Sequence, residues 1–226
     1  MSPKLIKRFA SAALIAPVFL YVIIVGGGIF KVWLTLAFLI SVHEWYGLAK
    51  RLPHFLPVMI WGCVYASISY SSFLALREAH SLNVLLLFLG MIWFSDIGAY
   101  FVGKFYGGPK LIEHISPNKT WSGFLGALLF PALFGVVWCL LMDISEIFPA
   151  SSSHSFNVVM SGILGAVMGS VGQAGDLLVS FVKRLAKVKD TGTLIPGHGG
   201  LLDRIDSMML GAPVFLILIT LLSYVF

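Results

Sequence analysis

The chain has 226 residues, of which 58% are hydrophobic, 14% aromatic and only 11% charged. With a mean hydropathy of +0.95, this composition excludes a water-soluble globular domain and indicates an integral membrane protein. The formal net charge of +5 is typical of a membrane protein with one basic face, which attracts anionic headgroups or phosphates.

Apolar runs predict an all-α, polytopic bundle of about seven transmembrane helices, because a bilayer core of roughly 30 Å needs about 20 apolar residues per helix. The first run begins with basic residues, as a signal peptide does, but no A-x-A-like cleavage site follows it, so we expect it to be retained. No linker interrupts residues 1–226, which we interpret as a single membrane domain. In chain order the predicted spans are 9–25, 32–48, 55–71, 82–101, 121–141, 157–178 and 206–226.

Basic residues predict the orientation, because short cytoplasmic loops are enriched in Lys and Arg. With the N-terminus inside, all of the 15 Lys and Arg residues except Lys31 and Arg77 fall on the cytoplasmic side. We therefore expect a polar site near the cytoplasmic face. Nucleic acid is a poor candidate partner, since these residues sit in short loops and form no recognisable binding module.

Two aspartates are predicted to lie inside spans. Asp96 is about five residues from the cytoplasmic end of its span, roughly 7.5 Å deep, and Asp176 has a similar depth. An intramembrane carboxylate costs several kcal/mol unless it is paired, hydrated or bound to a cation, so both are candidate functional residues. Ser180 and Lys183 share a helix face with Asp176. The alternative is a structural ion pair with a nearby lysine.

The segment 189–206, KDTGTLIPGHGGLLDRID, holds 5 charged residues in 18. Asp203 and Asp206 share one face at the start of the last helix, where they could simply complement the helix dipole. With Asp176 nearby they would instead form a cluster of hard oxygens that suits Mg²⁺ and substrate phosphates. The glycines around His198 let backbone N–H groups approach an anion.

From Ser180 to Asp206 the sequence SFVKRLAKVKDTGTLIPGHGGLLDRID resembles the signature of the phosphatidate cytidylyltransferases, also called CDP-diacylglycerol synthases. Residues 95–123, SDIGAYFVGKFYGGPKLIEHISPNKTWSG, are similar to a second region of that family. The resemblance extends over about 91–210, with Glu44 as a further point of similarity. The matching positions are Asp96, Gly103, Lys104, Ser116, Pro117, Lys119, Thr120, Ser180, Lys183, Arg184, Lys189, Asp190, Gly192, Pro196, His198, Gly199, Gly200, Asp203, Arg204 and Asp206.

This resemblance implies transfer of the cytidylyl group of CTP to phosphatidate, which gives CDP-diacylglycerol and pyrophosphate for phospholipid synthesis. It also implies Mg²⁺, with a second cation left open, and a site that faces the cytoplasm from a bacterial inner membrane. Two anions must react, so metal and cations have to cancel their repulsion and stabilise the leaving group. A phosphate monoester with a second pKa of about 6 needs no strong general base.

Resemblance and local geometry together assign a role to each candidate residue. The metal is assigned to Asp176 and Asp203, with Asp206 as a further ligand or support. The expected catalytic residues are Asp176, Asp203, Asp206, Lys183, Arg184 and His198. The expected substrate-binding residues are Asp96, Ser116, Asn118, Lys119, Thr120, Ser180, Lys189, Asp190, Gly199, Gly200 and Arg204.

Three alternatives remain at this stage. A CTP-dependent polyprenol kinase would transfer the γ-phosphoryl group to an alcohol, and an archaeal-type enzyme would use an ether-linked lipid phosphate to make a CDP-archaeol-type product. A transporter would explain the recessed acids but not the PGHGG loop. The expected partners are CTP, phosphatidate and membrane lipids, with a homodimer left open.

Overall fold

The computed structural model describes residues 17–142, 145–148, 153–195, 197 and 199–225. Residues 17–25 are helical and are called α1. The other elements are α2 (Gly27–Ala49), α3 (Phe55–Ala79), α4 (Leu82–Tyr106), β1 (Lys110–Ile112), β2 (Ser116–Thr120), α5 (Trp121–Leu141), α6 (His154–Leu185) and α7 (Leu202–Val225).

Six helices of the described chain, α2 to α7, are long and apolar enough to cross a membrane. The predicted all-α, polytopic bundle is therefore confirmed. The first predicted span, 9–25, lies only partly within the described residues. Several helices extend beyond the predicted spans, because the backbone stays helical after the apolar residues end. α6, for example, continues beyond the predicted end at 178 to Leu185, carrying charged residues past the apolar stretch.

α6 ends in a left-handed turn. Lys187 has a φ of 55°, and the backbone N–H of Val188 donates to the Lys183 carbonyl at 2.9 Å. This bond closes the last turn in the manner of a Schellman motif, although glycine is the usual residue at the left-handed position. The turn redirects the chain into the segment that leads to α7.

α4, α5 and α6 pack closely through small residues. Gly98 of α4 and Gly126 of α5 face each other, and a Cβ on either would collide with the carbonyl oxygen of the other. Gly165 of α6 approaches the Pro131 carbonyl of α5 in the same way. Small residues let transmembrane backbones come this close, where packing rather than the hydrophobic effect holds helices together. The remaining helices continue the bundle: α7 packs against α6, α3 packs against α7, and α2 packs against α3.

Polar contacts distinguish the two ends of the bundle. At one end the Ser81 N–H donates to Glu146 Oε2 at 2.8 Å, and Arg77 Nε donates to the Ile23 carbonyl at 2.9 Å. At the other end Arg184 Nε donates to the Ile115 carbonyl at 3.0 Å. The connections after α4 and α6, both expected on the cytoplasmic side, thus contact each other, and the site described below lies at their end of the bundle.

A short hairpin between α4 and α5 was not predicted. β1 and β2 are antiparallel, with Lys110 opposite Thr120 and Ile112 opposite Ser116. Strands of three and five residues are too short for an alternating pattern to stand out in a sequence. Thr120 ends the hairpin and caps α5, because its Oγ1 accepts from the Gly123 N–H at 3.1 Å.

Candidate functional site

A chain of polar contacts links the hairpin to α4 and α6. Lys119 Nζ contacts Asp176 Oδ2 at 2.7 Å and donates to Gln173 Oε1 at 2.7 Å. Gln173 Nε2 in turn donates to Asp96 Oδ1 at 3.4 Å. Each recessed aspartate therefore has a polar partner, as the cost of an unpaired carboxylate in a membrane requires.

These side chains line a cavity of about 550 Å³. Its polar wall includes Asp96, Asn118, Lys119 and Asp176, and its apolar wall includes Phe124. A cavity of this size with a few convergent polar groups is typical of a site for a small molecule or part of a larger one. The structure therefore brings five of the predicted site residues to one cavity, since Thr120 also lines it.

A second cluster surrounds Asp203 at the start of α7. Asp203 Oδ1 pairs with Lys183 Nζ at 2.7 Å, and Oδ2 accepts from the N–H groups of Thr191 at 2.8 Å and Gly200 at 3.0 Å. Oδ2 is also 3.1 Å from the Thr191 hydroxyl. The side chains of Lys183 and Asp203 are only 8% and 4% exposed. Asp203 therefore does more than complement a helix dipole, since it fixes the preceding loop.

Lys183 lies between the two clusters. Its ammonium group attracts Asp176 and Asp206 electrostatically as well as Asp203. Asp206 is close enough to Asp176 and Asp96 to be repelled by both. The carboxylates of α4, α6 and α7 thus lie near one another, with Lys183 and Lys119 as their counter-charges.

The carboxylates can be tested against the chemistry of Mg²⁺. In the described part of the chain, no group of three or more His, Cys, Asp or Glu side chains is arranged to hold a metal ion. Mg²⁺ in nucleotide sites needs only one or two carboxylates besides substrate phosphates. Asp176 and Asp206 supply such oxygens on adjacent helices. In this conformation the oxygens of Asp176 and of Asp203 all accept from protein donors, so direct coordination by either carboxylate requires some of these donors to leave; the assignment of both as ligands remains a prediction.

Arg184 was predicted to act on phosphates, and here it holds backbone carbonyls. Its Nε donates to Ile115 at 3.0 Å and its Nη1 to Val188 at 3.2 Å. The planar guanidinium therefore ties the hairpin to the segment after α6.

The other predicted residues are placed as follows. Ser180 Oγ donates to Asp176 Oδ1 at 3.0 Å, Ser116 begins β2, and Thr120 is the cap of α5. Gly199 packs against Asp203 with a φ of 88°. Lys189, Asp190 and Arg204 are exposed. His198, predicted as catalytic, and Pro196 of the motif lie outside the described residues.

Three residues of the site were not among the site residues predicted from the sequence. Gln173 bridges Lys119 and Asp96, and its position three residues before Asp176 inside a span was an available signal. Thr191 and Glu44 contact each other at 2.8 Å. Glu44 was noted only as a point of similarity, because nothing local in the sequence connects it to a loop that begins almost 150 residues later.

Comparison with known proteins identifies the family of the chain. The model of the Cytidylyltransferase family matches residues 52–222, a wider region than the predicted 91–210. A Rickettsia felis protein named phosphatidate cytidylyltransferase is 32% identical over 208 residues, which cover 92% of this chain and 88% of the relative. A protein of that name from Rickettsia bellii is 31% identical over 93% of this chain and 89% of its own length. One from Brucella suis is 37% identical over 153 residues, 67% of this chain and 53% of the relative. The chain belongs to the cytidylyltransferase family.

Proposed function

We propose that this protein transfers the cytidylyl group of CTP to phosphatidate and releases CDP-diacylglycerol and pyrophosphate. The observation that carries this proposal is the 2.7 Å contact between Lys119 and Asp176. It joins the segment 95–123 to α6, the helix on which the other segment that resembles the family begins, beside a cavity with polar and apolar walls. A substrate pair of one polar nucleotide and one membrane lipid needs both kinds of wall.

The reaction follows from the charges. A phosphate oxygen of phosphatidate attacks the α-phosphorus of CTP, a new P–O bond forms, and the bond to the β-phosphate oxygen breaks with its electron pair leaving on pyrophosphate. Lys119 and Lys183 carry positive charge to the site and reduce the repulsion between the two anions. The lipid phosphate is already largely dianionic at neutral pH, so the residues need only bind and orient it.

Mg²⁺ would be held by the carboxylate of Asp206, and by those of Asp176 and Asp203 once some of their present donors give way. When bound, the metal supplies positive charge that stabilises the phosphates and the leaving group. Asp96 would orient Lys119 through Gln173. Ser180 would keep the Asp176 carboxylate in a fixed orientation.

The site would face the cytoplasm from the inner membrane of a bacterium. Two observations support this orientation. Basic residues are concentrated at the end of the bundle that carries the site, as the positive-inside rule expects of a cytoplasmic face. CTP is made and kept in the cytoplasm, so a nucleotide site on this face would have its substrate at hand.

The direct test uses purified protein with CTP, Mg²⁺ and phosphatidate, followed by mass spectrometry of the lipid products. We expect CDP-diacylglycerol in the wild type, and at least a hundredfold less in Asp176→Asn. Glu78→Gln is the matched control, because Glu78 forms an exposed ion pair with Lys31 at the opposite end of the bundle. Transfer of a phosphoryl group from CTP to the lipid instead of the cytidylyl group, or no nucleotide-dependent lipid product, would contradict the proposal.

A further inference from the structure

Glu44, on the buried face of α2, accepts three hydrogen bonds from the segment before α7. Its Oε1 accepts from the Leu201 N–H at 2.8 Å. Its Oε2 accepts from the Leu202 N–H at 2.9 Å and lies 2.8 Å from the Thr191 hydroxyl. Glu44 is only 6% exposed. Both oxygens of this buried side chain therefore have donors from the loop or the start of α7.

These bonds satisfy groups that α7 leaves open. The first N–H groups of a helix have no partner within the helix. The Glu44 carboxylate, on α2, accepts the hydrogen bonds of the Leu201 and Leu202 N–H groups. Its negative charge also lies at the positive end of the α7 dipole. A residue 157 positions away in sequence therefore fixes where α7 begins.

Thr191 connects Glu44 to Asp203. Its hydroxyl lies 2.8 Å from Glu44 Oε2 and 3.1 Å from Asp203 Oδ2, and its N–H donates to the same Asp203 oxygen at 2.8 Å. Asp203 then pairs with Lys183. A displacement of the loop at Thr191 would therefore shift the Lys183 ammonium, which is three contacts away from Glu44.

Polar contacts with Glu44 bind the loop to α2. Gly192 and Gly200 pack directly against the Glu44 carboxylate, where a Cβ at either position would crowd it. Beside this contact, a cavity of about 520 Å³ separates the outer side of α2 from residues 191–194. Because that side lacks close apolar packing, the hydrogen bonds of Glu44 hold this part of the loop against α2, while those of Asp203 hold it to α7.

We propose that Glu44 is a positioning residue for the transfer reaction, which sets Asp203 and Lys183 in their reactive arrangement by holding the loop from Thr191 to Leu202. This inference rests on the proposed function. Glu44 acts through the loop and touches neither substrate. Its loss should therefore lower kcat, while KM for CTP and for phosphatidate changes little.

The test begins with Glu44→Gln. In this variant the carboxamide NH₂ group replaces one carboxylate oxygen and must face a group that donated a hydrogen bond to that oxygen. We expect kcat to fall at least tenfold per folded protein, with both KM values within about threefold of the wild type. Hydrogen exchange should rise in peptides that cover 190–202 and stay unchanged in α4 and α5. Glu78→Gln again serves as the control, with wild-type kcat expected.

Thr191 provides a second, independent pair of variants. Thr191→Val removes the hydroxyl at nearly constant volume and should lower kcat several-fold, whereas Thr191→Ser should recover most of that loss. In the double variant Glu44→Gln/Thr191→Val, the losses should be less than additive, because both act through one loop.

Three results would overturn the inference. They are wild-type kcat in Glu44→Gln with a loosened loop, increased exchange throughout the protein with wild-type kcat, and equal kcat in Thr191→Val and Thr191→Ser. The last comparison decides the matter if Glu44→Gln does not fold. Failure of the proposed function is distinguishable, since the wild type would then make no cytidylyl lipid while the exchange difference in 190–202 persisted.

Discussion

Lys119, near the end of β2, pairs with Asp176, in the membrane-spanning part of α6, at 2.7 Å. Their side chains are 17% and 29% exposed, so the pair is accessible from the cavity and still shielded from bulk water. A lysine that neutralises a recessed carboxylate is also positioned to meet a phosphate that enters the cavity. The contact therefore links the stability of the site to its proposed chemistry.

This pair gives the first prediction. Lys119→Met should lower kcat/KM at least tenfold, equivalent to about 1.4 kcal/mol of transition-state stabilisation, because it removes a cation and leaves Asp176 without its ion-pair partner. Kinetics should be measured for Lys119→Met, Asp176→Asn and the double variant. Strictly additive losses would show that the two residues act independently, contrary to the structure.

Asp203→Asn tests the second cluster. The carboxamide retains one acceptor oxygen, so its NH₂ group must face either Lys183 or the Thr191 and Gly200 N–H groups. A buried unsatisfied donor costs about 1–3 kcal/mol, and the loop should shift as a result. We expect turnover to fall by orders of magnitude at fixed Mg²⁺, with expression preserved. Turnover near that of the wild type would contradict both the metal assignment and the loop-fixing role of Asp203.

Arg184→Lys tests the use of the guanidinium. One planar guanidinium reaches Ile115 and Val188 together, and an ammonium cannot reproduce that geometry. We expect normal insertion and at least a tenfold loss in kcat/KM for one substrate, measured with CTP and phosphatidate varied separately. Arg51→Lys is the control, since Arg51 is exposed in the short connection after α2. Equal kinetics in both variants would leave Arg184 as a positive-inside flank only.

The orientation can be tested with reporters. A reporter fused after Phe226 should be external, and one inserted within 104–119 should be cytoplasmic, because Lys31 and Arg77 are the two basic residues expected outside. Both reporters on one side would contradict the predicted number of spans.

The sequence was informative where each signal is local. Apolar runs identified the helices, and Asp96 and Asp176 stood out because charge inside a span is costly. The sequence did not predict which lysine pairs with which aspartate. Lys183 follows Asp176 by seven residues on one helix face, which suggested a pair, but two helical turns separate them by about 10.5 Å along the axis. The 2.7 Å contacts are instead Lys183 with Asp203 and Lys119 with Asp176, set by packing between distant segments.

Glu44 shows the same limit more clearly. It looks like a single acid near the end of an apolar helix, and its three donors lie in a loop whose path depends on the whole bundle. Likewise, the Thr120 cap and the hairpin arise from short-range geometry that leaves little periodicity in the sequence.

Cytidylyl transfer can be followed with CTP labelled with ³²P at the α-phosphate, and in a parallel reaction at the γ-phosphate. Purified protein is incubated with each, with Mg²⁺ and phosphatidate, and the lipid fraction is counted. A cytidylyltransferase puts the α label into lipid and releases the γ label as pyrophosphate, with one pyrophosphate for each CDP-diacylglycerol formed. Appearance of the γ label in lipid, or of neither label, would contradict the account.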